Sequence, residues 1–291
     1  MKKVFIYTFV ASFIFEGCQD KIDVKLDAGT PQLVVDAFIN NKQEKQTIHL
    51  AKSSGYFDNS ASPTALSASV KIKNNRTGKN FFFLDISASG DYIWIPGVFD
   101  TIASNGDELT LSITYDGQSY TANSTMNPAP PIDSVSYIYK PKNSSGGGDS
   151  AGYFASFYGR DFAGETNYYW IKSYRNGILN NNPANINIAW DAAFGPGADG
   201  FTFILPIRDA ITPSNNPFQW NDTVKVEIHA LTEDTWNFLS EVRTQTTNGG
   251  LFATPPANVR TNIKNTNANS EVKAVGFFNA GAVSTFKKAI Q

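Results

Sequence analysis

The chain has a single cysteine, Cys18, and only two histidines, His49 and His229, in 291 residues. One cysteine cannot form an intrachain disulfide, so packing and sheet pairing must hold the fold. Both histidines sit in alternating strand-like patterns with apolar neighbours, and neither has a partner at metal-ligand spacing. HExxH, Gly-x-Ser-x-Gly, the P-loop, a strand-linked GxGxxG and the EF-hand loop are all missing. Each histidine is a potential base, but no nucleophile motif accompanies it. Charged residues make up 17% of the chain and the net charge is −2, which argues against a basic nucleic-acid surface. No apolar run reaches the roughly 20 residues of a membrane-spanning helix. The expectation is a protein with no catalytic residues, no metal, no cofactor and no nucleic-acid partner.

What is present begins at the N-terminus. Lys2 and Lys3 form a positive start, Val4 to Phe15 an apolar stretch, and Gly17 a small residue directly before Cys18. This is the anatomy of an export signal ending at a lipoprotein cleavage site. Residues 1–17 are the expected signal peptide. Cys18 is the expected lipidation site and residues 18–30 a polar tether. Acyl chains on Cys18 would hold the mature chain on a membrane, because each buried methylene contributes about 0.8 kcal/mol. Glu16 and Phe15 depart from the small and leucine residues usual at those positions.

The chain as a whole is rich in aromatics (22 Phe and 12 Tyr), while periodic runs of helix formers are scarce. That predicts a mainly β protein. Alternating segments predict strands at 33–39, 46–52, 67–74, 80–86, 90–95, 108–115 and 118–126, joined as successive hairpins. Asp116-Gly117 predicts a type I′ turn. About seven strands in this stretch fit an immunoglobulin-like sandwich over residues 31–127. The prolines at 128, 130 and 131 mark a boundary. A second antiparallel β domain with one short helix is expected over 132–291. Its predicted strands are 152–161, 166–177, 201–207, 223–231 and 272–281, the last closing the sheet. Its helix is 233–245, capped by Thr232 or Asp234.

Tryptophans are the candidate contact residues. Trp94 and Trp170 fall inside strands and read as core. Trp190 and Trp220 fall in or near loops, within the segments 178–200 and 212–222, and are the candidate contacts for a ligand or partner. Paired carboxylates such as Asp191 and Asp199 bracket a loop and read as solvated rather than catalytic.

The C-terminal region resembles the domain of unknown function 4249 family. The residues that carry the likeness are Gly250, Phe252, Pro255, Asn258, Val259, Asn262, Ile263, Gly276 and Phe277, after the helix at 233–245. QLVVDAFIN (32–40) and Asn167-Tyr168-Tyr169 add to it. NTNANSE (265–271) replaces a stretch that is often glycine-rich in the family. The resemblance implies an outer-membrane lipoprotein of Bacteroidota, without catalytic residues, acting beside a TonB-dependent receptor. The leading expectation is an accessory binding or scaffolding partner of that uptake system, anchored in outer-membrane lipid through Cys18. The alternative is a stand-alone surface glycan- or peptide-binding protein. Asn258 and Asn262 are expected to pin an irregular segment to the sheet by side-chain hydrogen bonds.

Overall fold

The computed structural model describes residues 30–55, 58, 60–142, 150–248 and 257–291. The chain is mainly β. Its first seven strands are Leu33–Ile39 (β1), Gln46–Lys52 (β2), Ser69–Asn74 (β3), Asn80–Phe83 (β4), Asp91–Trp94 (β5), Glu108–Tyr115 (β6) and Gln118–Thr125 (β7). Ile132–Lys140 (β8), Gly152–Gly159 (β9), Tyr168–Arg175 (β10), Ile178–Leu179 (β11), Asn187–Trp190 (β12) and Thr223–Leu231 (β13) follow. Lys264–Asn265 (β14), Ala274–Ala280 (β15) and Val283–Ala289 (β16) complete the set.

Two sheets, ordered β15-β1-β2-β5 and β14-β7-β6-β3-β4, enclose the first core. Period-2 alternation places Leu33, Val35, Ala37 and Ile39 of β1 inside this sandwich, while Val34, Asp36 and Phe38 face outward. The β6–β7 hairpin turns on Asp116 (φ 49°) and Gly117 (φ 71°), the positive pair that a type I′ turn requires. The second core lies between the β8–β9 hairpin and the sheet β11-β10-β13-β16, where β12 also pairs with β10. No sheet runs across 126–131, and the two cores are separate clusters.

Several expectations are corrected. The strand 90–95 does not extend the β3–β4 hairpin. β5 pairs with β2, Gln46 opposite Trp94, and keeps only a bridge between Ile93 and Leu84 at the sandwich corner. Pairing with β2 buries Tyr92, whose hydroxyl donates to Ala65 O at 2.8 Å. The late strand does not close the second sheet either. β15 pairs in parallel with β1 of the first sandwich, and β16, unforeseen in the sequence, pairs with β13. The segment 201–207 is not a strand. It enters a short helix, Leu205–Asp209, because Pro206 presets the φ of a first helical turn. β8 and β12 were also not foreseen. The long helix runs Glu233–Thr247, and Thr232 caps it by accepting from Thr235 N at 3.2 Å.

Candidate functional site: a cleft between two sheets

The outward face of β1 and β15 stands opposite the outward face of β10 and β13. Phe38 of β1 meets Trp170 of β10 edge-to-face, with ring centroids 5.4 Å apart. Phe277 of β15 stacks on Phe238 of the long helix at 4.8 Å. Between these contacts the surfaces part and leave a cavity of about 400 Å³. Val34, Phe38, Trp170, Phe277, Leu239 and Val242 form its apolar walls, and Asn180, Asn181 and Asn185 edge it. Size and lining match those of small-molecule sites, which are mostly apolar with a few placed polar groups.

Two charged side chains enter this cleft, Asp36 from β1 and Lys172 from β10. Strand alternation explains both: each is the polar member of an outward-facing row. Lys172 Nζ lies 3.9 Å from the Trp170 ring centroid and 5.8 Å from that of Phe38, a cation–π arrangement. Burial pulls the ammonium down to about 8, while Asp36 and Glu227 pull it upward. Burial pushes the Asp36 carboxyl above its ordinary value, against Lys172 and His49. Asp36 retains exposed surface on its open side.

Beside Lys172, on β13, Glu227 accepts from Tyr174 Oη at 2.7 Å and Lys225 Nζ at 3.0 Å, with His229 Nε2 at 3.0 Å. Burial alone would raise Glu227, but His229, Tyr174 and Lys225 together hold it well below the carboxylate range. Burial first, and then Lys172, pulls His229 down to about 4, so the imidazole is neutral at pH 7. His49 pairs instead with Asp91 at 2.7 Å on the first sandwich. Among the described residues, no group of three or more His, Cys, Asp or Glu side chains is placed to hold a metal ion.

Cys18 lies outside the described residues, as do Gly250, Phe252 and Pro255. Trp190 is the last residue of β12, directly before a turn, and is half-buried with its ring 5.4 Å from Tyr168 and 5.6 Å from Trp236. Trp220 is 59% exposed and leans on Tyr153 at 6.2 Å. The two tryptophans therefore belong to separate aromatic groups. Trp94 packs against the first core, and Trp170 packs against a third buried cluster of Ile188, Leu231 and Leu239 while also lining the cleft. Asp191 is buried and accepts from Asn167 N at 2.8 Å, so it staples a loop rather than solvating it. Asp199 accepts from Gly164 N. Asn262 pins β15, donating to Phe278 O at 2.8 Å and accepting from Phe278 N at 2.9 Å. Asn258 is exposed and takes no such part. Sequence reasoning missed Asp36, Lys172 and Phe38, since an outward-facing residue on a strand looks solvent-facing until a second sheet covers it.

The family model of a domain of unknown function (DUF4249) matches residues 19–287, and the chain belongs to that family. No curated protein matches it.

Proposed function

We propose that this member of the family is a non-catalytic accessory protein of the outer membrane, anchored by lipid on Cys18, that binds or scaffolds a TonB-dependent uptake receptor. What carries the proposal is Cys18 directly after a short apolar stretch, with the family match opening at residue 19. Among the described residues no helix is long and apolar enough to cross a membrane. A lipid anchor gives the chain a means of membrane attachment that needs no such helix. For contact with a receptor, the segments 178–200 and 212–222 offer Phe194, 49% exposed, and Trp220, 59% exposed. A few aromatic anchors of this kind usually dominate interface energetics.

The test is affinity purification of the full-length chain from solubilised membranes, with identification of co-purifying barrels. Cys18→Ala should move the protein to the soluble fraction and abolish fatty-acid labelling. Recovery of wild-type protein without any receptor refutes the partnership, and a Cys18→Ala variant that stays in the membrane without a partner refutes the anchor. The second reading is a stand-alone surface binder of glycan or peptide, and the cleft between the sheets favours it. Under that reading, ligand binding persists when no receptor is recovered.

A further inference from the structure

The cleft contains an acid and an ammonium that the protein leaves without close partners. Their backbones sit in the β1 and β10 ladders, but among the described residues the side chains of Asp36 and Lys172 make no hydrogen bond and no close ion pair with each other. Lys172 is met by the faces of Trp170 and Phe38, which attract a cation but accept no conventional hydrogen bond. A half-buried ammonium against apolar walls is costly unless something pairs with it, and the exposed Asp36 carboxylate stands open to an incoming cation.

We propose that the cleft binds a zwitterionic molecule with an apolar side chain, a hydrophobic α-amino acid or its dipeptide, whose ammonium faces Asp36 and whose carboxylate faces Lys172. The alternatives fit the lining less well. A ligand with only a carboxylate would leave Asp36 unpaired and repelled, and one with only an amine would do the same to Lys172. A neutral sugar would satisfy neither charge and would waste the walls formed by Phe38, Phe277, Leu239 and Val242. The zwitterion answers both charges while its side chain displaces water from those walls. A cavity of about 400 Å³ has room for a dipeptide, and Asn180 and Asn181 at its edge offer amide donors and acceptors to a peptide bond. The inference requires neither the lipid nor the receptor, so its test is separate from theirs.

Isothermal titration calorimetry on the full-length, detergent-solubilised chain decides it. The titrants are L-phenylalanine and L-phenylalanyl-L-leucine. The comparison compounds are 3-phenylpropanoate, which lacks the ammonium, 2-phenylethylamine, which lacks the carboxylate, and maltose. At least one zwitterion should bind, and each single-charge analogue should bind at least about tenfold more weakly, since each loses one charge-assisted contact. Asp36→Asn should erase the preference for phenylalanine over 3-phenylpropanoate, and Lys172→Met the preference over 2-phenylethylamine. Thermal melting verifies that each variant is folded. If a variant does not fold, the analogue series on the wild-type chain decides alone. Absence of heat from both zwitterions at millimolar concentration overturns the proposal. So does equal binding by either analogue, tighter binding of maltose, or unchanged selectivity in folded variants.

Discussion

Gly276 stands where the first sandwich, the cleft and the C-terminal strand meet, and replacing it by alanine is the sharpest test of that construction. Its φ is +94°, and a Cβ placed there would stand 2.0 Å from Val35 O and 2.8 Å from Val35 C. Val35 is its register partner in the parallel β1–β15 ladder. Two costs therefore combine. An L-residue at positive φ loses about 1–2 kcal/mol. A methyl group pressed into a partner backbone forces the strands apart, at about 1–3 kcal/mol for overpacking. The sum is about 2–5 kcal/mol, a large part of the stability of an ordinary domain. For a chain of this size it lowers the melting temperature on the order of 10 °C. Two other glycines separate the terms. Gly117 has φ +71° with nothing within 4 Å of its Cβ position, so its alanine variant reports strain alone. At Gly281 a Cβ would stand 1.9 Å from Ala230 O without a positive φ, so its variant reports overlap alone. Circular dichroism melts should place Gly276→Ala lowest or level with Gly281→Ala, and Gly117→Ala well above both. A Gly276→Ala protein that melts with Gly117→Ala would refute the close ladder.

Four further outcomes follow from the same structure. The unfolded chain takes up a proton near pH 6.5 at His229 that the folded chain refuses until about pH 4, so stability falls as pH drops through that window, by up to about 3 kcal/mol. Asp36, pushed upward, opposes this toward the acid end, so denaturant melts of wild type against His229→Gln should isolate the histidine as the steeper curve. Asn279→Ala should cost about 2–4 kcal/mol in the same melts, because it strands Thr232 N and Ala230 O and leaves the Thr235 hydroxyl only Thr232 Oγ1 as a partner. Trp190→Ala should lower the melting temperature by opening the Tyr168–Trp236 cluster, whereas Trp220→Ala should leave melting nearly unchanged and reduce receptor recovery; a Trp220→Ala chain with wild-type recovery removes 212–222 as the docking surface. A fragment of residues 30–131 lacks β14 and β15 and should show no cooperative melt.

Where pairing is local, the sequence was readable. β1, β2, β6, β7 and β13 alternate buried and open residues with period two, and their turns carry the residues such turns need. The missed strands lack that signature. β12 is short and buried through Asn187, Ile188 and Ala189, so it has no alternation. In β16 no residue is fully buried, and in β8 Ile138 and Tyr139 are exposed although apolar. The partner of β5 and the destination of β15 depend on long-range pairing, which no local pattern encodes. The cleft was hidden for the same reason. Val34, Asp36 and Phe38 form the ordinary outer row of a strand, and Trp170 and Lys172 another. Only the docking of two outer faces makes a cavity of them.

That docking is held by a very short piece of chain. β15 belongs to the first sandwich and β16 to the second sheet, and only Gly281 and Ala282 separate them. Gly281 N donates to Ile39 O, Ala282 N to Asn127 O, and Ala230 N to Ala282 O. Buried Asn279 ties β15 to β13 through Ala230 O and to the start of the long helix through Thr232 N and Thr235. Asn127 completes the seam by donating to Leu231 O at 2.9 Å. These bonds join β1 to β13, and β13 carries β10 beside it. The strand bearing Asp36 and Phe38 is thereby fixed relative to the strand bearing Lys172 and Trp170. A cavity whose walls are set in this way is formed before any ligand arrives, and a ligand entering it pays less in ordering its site than it would between two freely hinged units. The glycine at 281 has a physical reason: the link must pass so near Ala230 O that a side chain would push the two sheets, and with them the cleft walls, apart.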